Sequence, residues 1–197
     1  LGSEYFNVKK SFFLSSASVY PDSINPLNEK TDGLNLSEKY KLETFFNELS
    51  SKRGFMHANL RISNVYGPGL NYGLISNISK FLLARQPFTL YDDRKITRDY
   101  IYVRDVIYAI TSLAYLNFDE KIINISSGYG TTINQILEIF ELLLYKFQDV
   151  PVTPKPSDFK SSVVLDCTKL KSMIFWQPII INFDIVKQIM ELNKKFG

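Results

Sequence analysis

Cysteine and histidine are almost missing from this chain. Cys167 and His57 are the single copies. One cysteine excludes an internal disulfide, and the pair leaves too few soft ligands for a structural zinc site. A lone thiol fits a reducing, cytoplasmic location. No apolar run approaches the ~18 residues of a membrane span, so no membrane partner is expected. The N-terminus shows no basic flank leading into an apolar stretch, so no secretory leader is expected. Neither sign of charge dominates: 23 Lys and Arg against 20 Asp and Glu leave +3. That imbalance is too small to point to nucleic acid. Repeats and low-complexity tracts are absent too.

What is present is ordinary globular material. The 197 residues are 45% hydrophobic, 14% aromatic and 22% charged, enough to bury a core without staples. Ser11 to Ser15 is a short apolar run bounded by Ser, His57 to Ile62 reads as another strand, and Ile122 to Ile125 reads as a buried one. Phe88 to Tyr91 and Tyr100 to Val103 read as shorter extended pieces. Between them lie helical patterns. Leu42, Phe45, Phe46 and Leu49 recur at helical spacing. The start of that helix lies near Asn35 or Ser37, with Asn35 and Glu38 spaced as a capping box, and Gly54 ends it. Leu74 to Ala84 and Asp105 to Leu116 are amphipathic. Thr132 and Gln135 form a second capping box ahead of Ile133 to Tyr145, and Asn182 can cap a last helix. Strands alternating with helices predict an α/β fold with a largely parallel sheet.

Four segments carry a more specific signal. They are Phe13-Leu14-Ser15-Ser16-Ala17-Ser18-Val19-Tyr20, then Leu60-Arg61-Ile62-Ser63-Asn64-Val65-Tyr66-Gly67-Pro68-Gly69. Thr97-Arg98-Asp99-Tyr100-Ile101-Tyr102-Val103-Arg104-Asp105-Val106 and Ile123-Asn124-Ile125-Ser126-Ser127-Gly128 follow. In this order they resemble the extended short-chain dehydrogenase/reductases, the NAD-dependent epimerases and dehydratases of nucleotide sugars. Lys155-Pro156-Ser157-Asp158 and Trp176-Gln177-Pro178 are weaker echoes.

The resemblance implies the rear part of a Rossmann-type parallel sheet, over residues 1–66 and 99–127. It implies a small substrate-capping domain over 67–98 and 128–197. It also implies an NAD cofactor, with NADP not excluded, and a nucleotide-sugar substrate, in a setting such as polysaccharide biosynthesis. Relatives open with a glycine-rich turn that holds the dinucleotide pyrophosphate. No Gly-x-x-Gly-x-x-Gly occurs here, so the chain is expected to be a C-terminal portion. Gly128-Tyr129-Gly130 reads as a helix entry.

The family chemistry uses a tyrosine acid/base with a lysine four residues later. The ammonium pulls a phenol of pKa ~10 toward neutrality, and the spacing puts both groups on one helix face. By resemblance, Ser16 falls at the catalytic hydroxyl position and Ser15 beside it at the cofactor. Lys41, in Lys41-Leu42-Glu43, falls at the lysine that is both catalytic and cofactor-binding. Asn64, Arg98 and Lys155 fall at substrate contacts, with the Arg98 fork suited to a diphosphate. Ser37, not tyrosine, stands four residues before Lys41. Taking Tyr40 as the phenol instead puts Thr44 at the lysine position, so either register lacks one partner. Ser37 also reads simply as a helix cap, and Asn64 as a turn stabiliser. His57 reads as structural and Cys167 as a packed thiol. Two functions therefore stand open: an NAD-dependent epimerase or dehydratase, or a catalytically impaired relative that keeps the fold and nucleotide-sugar binding. The helix carrying Lys41 resembles the family's dimer helix, which implies a homodimer; its apolar stripe facing the chain's own sheet is the alternative.

Overall fold

The computed structural model describes residues 7–84, 86, 88–91, 96–144, 152–155 and 162–196. The central layer is a parallel sheet of β1 (Lys10–Ser16), β2 (Met56–Ile62) and β6 (Ile122–Ile125), in the order β1-β2-β6. Register is set residue by residue, with Ser15 opposite Arg61 and Arg61 opposite Asn124. The expected α/β class with a parallel sheet is the one observed.

The two faces of β2 differ, and the alternation of its sequence is the reason. Ala58 and Leu60 pack with Val106, Ala109 and Leu113 of α3 (Val103–Tyr115), and Leu170 of α5 (Thr168–Met173) joins them. His57, Asn59 and Arg61 face α1 (Glu38–Arg53). These three are buried as well, so this interface is built from polar side chains. His57 bonds Ser11 Oγ at 2.7 Å and Asn59 Oδ1 at 3.0 Å. Asn59 Nδ2 donates to Asn47 Oδ1 at 3.1 Å.

The α1 helix departs from the sequence expectation in two ways. Its cap is Ser37, whose side chain accepts from the Tyr40 N–H, so the Asn35–Glu38 box does not form. The apolar stripe is also divided. Phe46 stacks on Phe13 and His57, with ring centroids 5.2 and 5.6 Å apart, while Leu42 and Phe45 face solvent. The sheet face is already polar, so Glu43 and Ser50 take the buried positions instead. Gly54 ends the helix at φ 71°, a left-handed conformation that favours glycine.

A second group of elements lies past the strand ends. β3 (Asn64–Tyr66) pairs parallel with β5 (Thr97–Tyr102), and β5 pairs antiparallel with β7 (Gly130–Thr132). β4 (Phe88–Tyr91) pairs with β8 (Val152–Lys155). Gly130 therefore opens a strand rather than a helix. The helix α4 (Ile133–Leu144) starts at the expected capping box, with Thr132 N–H donating to Gln135 Oε1 and Gln135 N–H to Thr132 Oγ1. α2 (Leu74–Leu83), α4 and α6 (Phe183–Phe196) pack around Tyr66, Tyr100 and Tyr102. Asn182 accepts from the Ile185 N–H, the expected cap of α6. No helix among the described residues is long and apolar enough to cross a membrane.

Candidate functional site

A cleft of about 650 Å³ opens where β1 and β2 end. Crevices at the carboxyl ends of parallel strands are the ordinary ligand sites of such sheets. Ser15 and Ser16 line it from β1, and Ser63 and Asn64 from the exit of β2. Lys39 enters from the first turn of α1 and Arg98 from β5. Tyr72, Gly73 and Leu74 form the rim at the start of α2. Among the described residues the lining carries two cationic side chains, Lys39 and Arg98, and no carboxylate. Such a lining attracts anions.

Each wall is held from behind. Ser16 Oγ accepts from the Ser18 N–H and caps the turn Ala17–Val19. Ser15 Oγ is buried and finds no hydrogen-bond partner among the described residues. Asn64 Nδ2 donates to the Asp99 carbonyl at 2.9 Å, which ties β3 to β5. Gly67, at the foot of the cleft, touches Val103 so closely that an added Cβ would collide with it. Asp99 is wholly buried and accepts from five groups. Ser63 Oγ, Ser127 N–H and Ser127 Oγ meet one of its oxygens; the Gly128 and Leu165 N–H groups meet the other. Burial raises its carboxyl pKa, and these bonds pull the other way.

Four of the expected site residues are thus brought together: Ser15, Ser16, Asn64 and Arg98. Lys41 is not among them. Its side chain is 66% exposed and pairs with Glu38 at 2.8 Å on the outer surface. Two residues along a helix is about 200° of rotation, which separates Lys41 from Lys39. Lys155 lies on β8, and its side chain is outside the described residues. Lys39 was missed because Lys41-Leu42 matches the family pattern locally. The signal that finds it is Glu43, four residues on, paired with Arg61 under the helix. Counting back from Lys39, the tyrosine position is Asn35 rather than Ser37, whose capping role is now visible.

Burial shifts several other titratable groups. Burial lowers the His57 pKa, with the Asn59 bond opposing. Burial raises the Cys167 thiol, which packs against Gly128. Burial, and secondarily the charge of Asp105, pushes the Tyr66 phenol up. Asp105 accepts from Trp176 Nε1 and from the Ile179 N–H, anchoring the segment before α6. No group of His, Cys, Asp and Glu among the described residues could hold a metal.

Comparison with known proteins agrees with this geometry. A putative UDP-glucose 4-epimerase of Methanocaldococcus jannaschii is 32% identical over 178 residues, 87% of this chain and 55% of that protein. The crystal structure of Thermotoga maritima UDP-glucose 4-epimerase with UDP-glucose superposes with a TM-score of 0.85 at 26% identity. The match covers 98% of this chain and 66% of that one. Bacillus cereus UDP-glucuronic acid 4-epimerase, solved with UDP-glucuronic acid and NAD, shares the fold with a TM-score of 0.88 at 20% identity. It is covered over 98% of this chain and 64% of that one. The chain spans little more than half the length of the curated relatives it matches. The profile of the NAD dependent epimerase/dehydratase family matches residues 3–126, and with the parallel sheet and these relatives, the chain belongs to that family.

Proposed function

We propose that the cleft binds a nucleoside-diphosphate sugar, as the substrate-holding portion of an NAD-linked epimerase or dehydratase. The observation that carries this reading is the lining itself: among the described residues, Lys39 and Arg98 are its charged side chains. Arg98 offers a planar fork to the diphosphate oxygens. Asn64 and Ser16 stand at the strand ends where the sugar hydroxyls would lie, and the family resemblance adds Lys155 of β8 as a further substrate contact. Ser15, with a buried hydroxyl lacking a partner among the described residues, fits the nicotinamide-ribose end of the cofactor, which NADP shares, and Lys39 adds positive charge facing the nucleotide sugar. When bound, NAD supplies a hydride acceptor and donor for a sugar carbon. The chain's own residues orient the sugar and balance the diphosphate charge. The exposed Leu42 and Phe45 support pairing of two copies through α1, and the lone buried thiol suits the cytoplasm. Sugars modified this way would feed polysaccharide assembly.

Isothermal titration of the protein with UDP-glucose tests the reading. Micromolar to millimolar binding that Arg98→Ala weakens by about 10- to 100-fold supports it. Absence of binding to UDP-glucose, UDP-glucuronic acid and dTDP-glucose overturns it.

A second reading is binding with impaired turnover. Asn35 favours it, because a carboxamide cannot exchange a proton near neutral pH as a lysine-tuned phenol does. Asn35→Tyr in the complete gene product, assayed with NAD and UDP-glucose, decides between the two. A gain of about 10²-fold or more supports impairment. Full activity of the unchanged protein excludes it.

A further inference from the structure

The seat of α1 is made by polar groups. Glu43 and Ser50 are its buried side chains, while Leu42 and Phe45 are exposed. Arg61 Nε donates to Glu43 Oε1 at 3.0 Å and to Oε2 at 3.3 Å, and Nη2 donates to Oε2 at 2.7 Å. The guanidinium cannot swing. It lies over the Tyr20 ring at 4.7 Å, and the Tyr20 hydroxyl donates to Asn124 Oδ1 at 2.8 Å. Asn124 Nδ2 in turn donates to the carbonyls of Leu27 and Asp166. Directional contacts thus run from β6 through Tyr20 and Arg61 to one side chain of α1.

Lys39 sits four residues before Glu43, about 40° round the helix and one turn nearer the cleft. Leu42, Phe45 and Leu49 lie about 100–160° from Glu43, on the same side as Lys39 and beyond it. They offer the helix a competing, non-directional seat against the sheet. We propose that the buried Arg61–Glu43 pair is a positioning device that fixes the rotation of α1 and so holds Lys39 in the ligand cleft. The ligand part of this inference rests on the nucleotide-sugar reading above. The geometric part does not. The role extends past stability, since an apolar pair of similar size would hold the helix down equally well. What such a pair would lack is a preferred angle.

Removing Glu43 alone strands a buried guanidinium and threatens folding. The pair is therefore exchanged as a unit, Arg61→Met with Glu43→Leu. The exchanged protein is expected to keep its melting temperature and to bind UDP-glucose about 10-fold more weakly or worse. Lys39→Ala is expected to weaken binding comparably in the unchanged protein and to have no further effect after the exchange. A crystal structure of the exchanged protein is expected to show Lys39 turned out of the cleft. Unchanged affinity, full additivity of Lys39→Ala, or Lys39 still lining the cleft would each overturn the proposal. If the unchanged protein fails to bind UDP-glucose, the nucleotide-sugar reading falls, and the crystal structure alone decides the positioning role.

Discussion

Arg98 and Asp99 are neighbours on β5 with opposite duties. Arg98 lines the cleft, whereas Asp99 is sealed beneath it and gathers Ser63, Ser127, Gly128 and Leu165. The two-residue period of a strand makes the division, because successive side chains leave by opposite faces. One short motif therefore supplies both a contact for an anion and the clamp that holds three loops around it.

This pair yields separable mutant effects. Arg98→Ala is expected to weaken UDP-glucose binding by about 10- to 100-fold, the worth of roughly 1.5–3 kcal/mol for a charge-assisted bond. Asp99→Asn is expected to destabilise the fold by roughly 3 kcal/mol or more. It turns an NH₂ group toward backbone donors that need an acceptor. Calorimetric titration reads the first effect and thermal unfolding the second. Equal losses of stability for both variants would contradict the division.

Lys39 and Lys41 differ in the same testable way. Lys39→Ala is expected to lower UDP-glucose affinity while leaving the melting temperature nearly unchanged. Lys41→Ala removes an exposed pair with Glu38, a contact worth about 0–1 kcal/mol, and is expected to leave binding intact. Binding that depended on Lys41 and not Lys39 would reverse the assignment made from the geometry.

His57 sets an acid limit on stability. Burial holds its folded pKa below the ordinary 6.5, so its contribution is whole above pH 6.5. As pH falls below 6.5 the unfolded ring takes a proton that the buried ring refuses, and stability declines until the lower folded value is reached. Urea unfolding between pH 7.5 and 5 is expected to show this loss. His57→Gln is expected to flatten it, and an unaltered slope would remove His57 as the cause.

Lys10 is a cap supplied from a distant strand. Its Nζ donates to the carbonyls of Leu113, Ala114 and Leu116 at the end of α3, and lies over the Phe118 ring at 5.4 Å. Lysines are favourable at helix C-termini, where carbonyls lack partners. Lys10→Met is expected to cost about 1–2 kcal/mol in denaturant unfolding. No measurable change would mean that water replaces the lysine without loss.

Local chemistry was legible in the sequence. The strands β1, β2 and β6, the Thr132–Gln135 box, the Asn182 cap and the Gly54 stop depend on residues a few positions apart, and the structure has them all. The ordered motifs identified the family, and the Ser15, Ser16, Asn64 and Arg98 taken from them line the cleft, because strand ends place side chains with little freedom. The rotation of α1 was not legible. Its spacing offered an apolar stripe, which ordinarily faces a sheet. That expectation fails because β2 presents His57, Asn59 and Arg61 to it, 57 to 61 in the chain against 43 to 50. Only the folded protein brings Arg61 to Glu43, and a buried charge must be matched by its partner before an exposed leucine matters. Which lysine enters the cleft follows from that pairing.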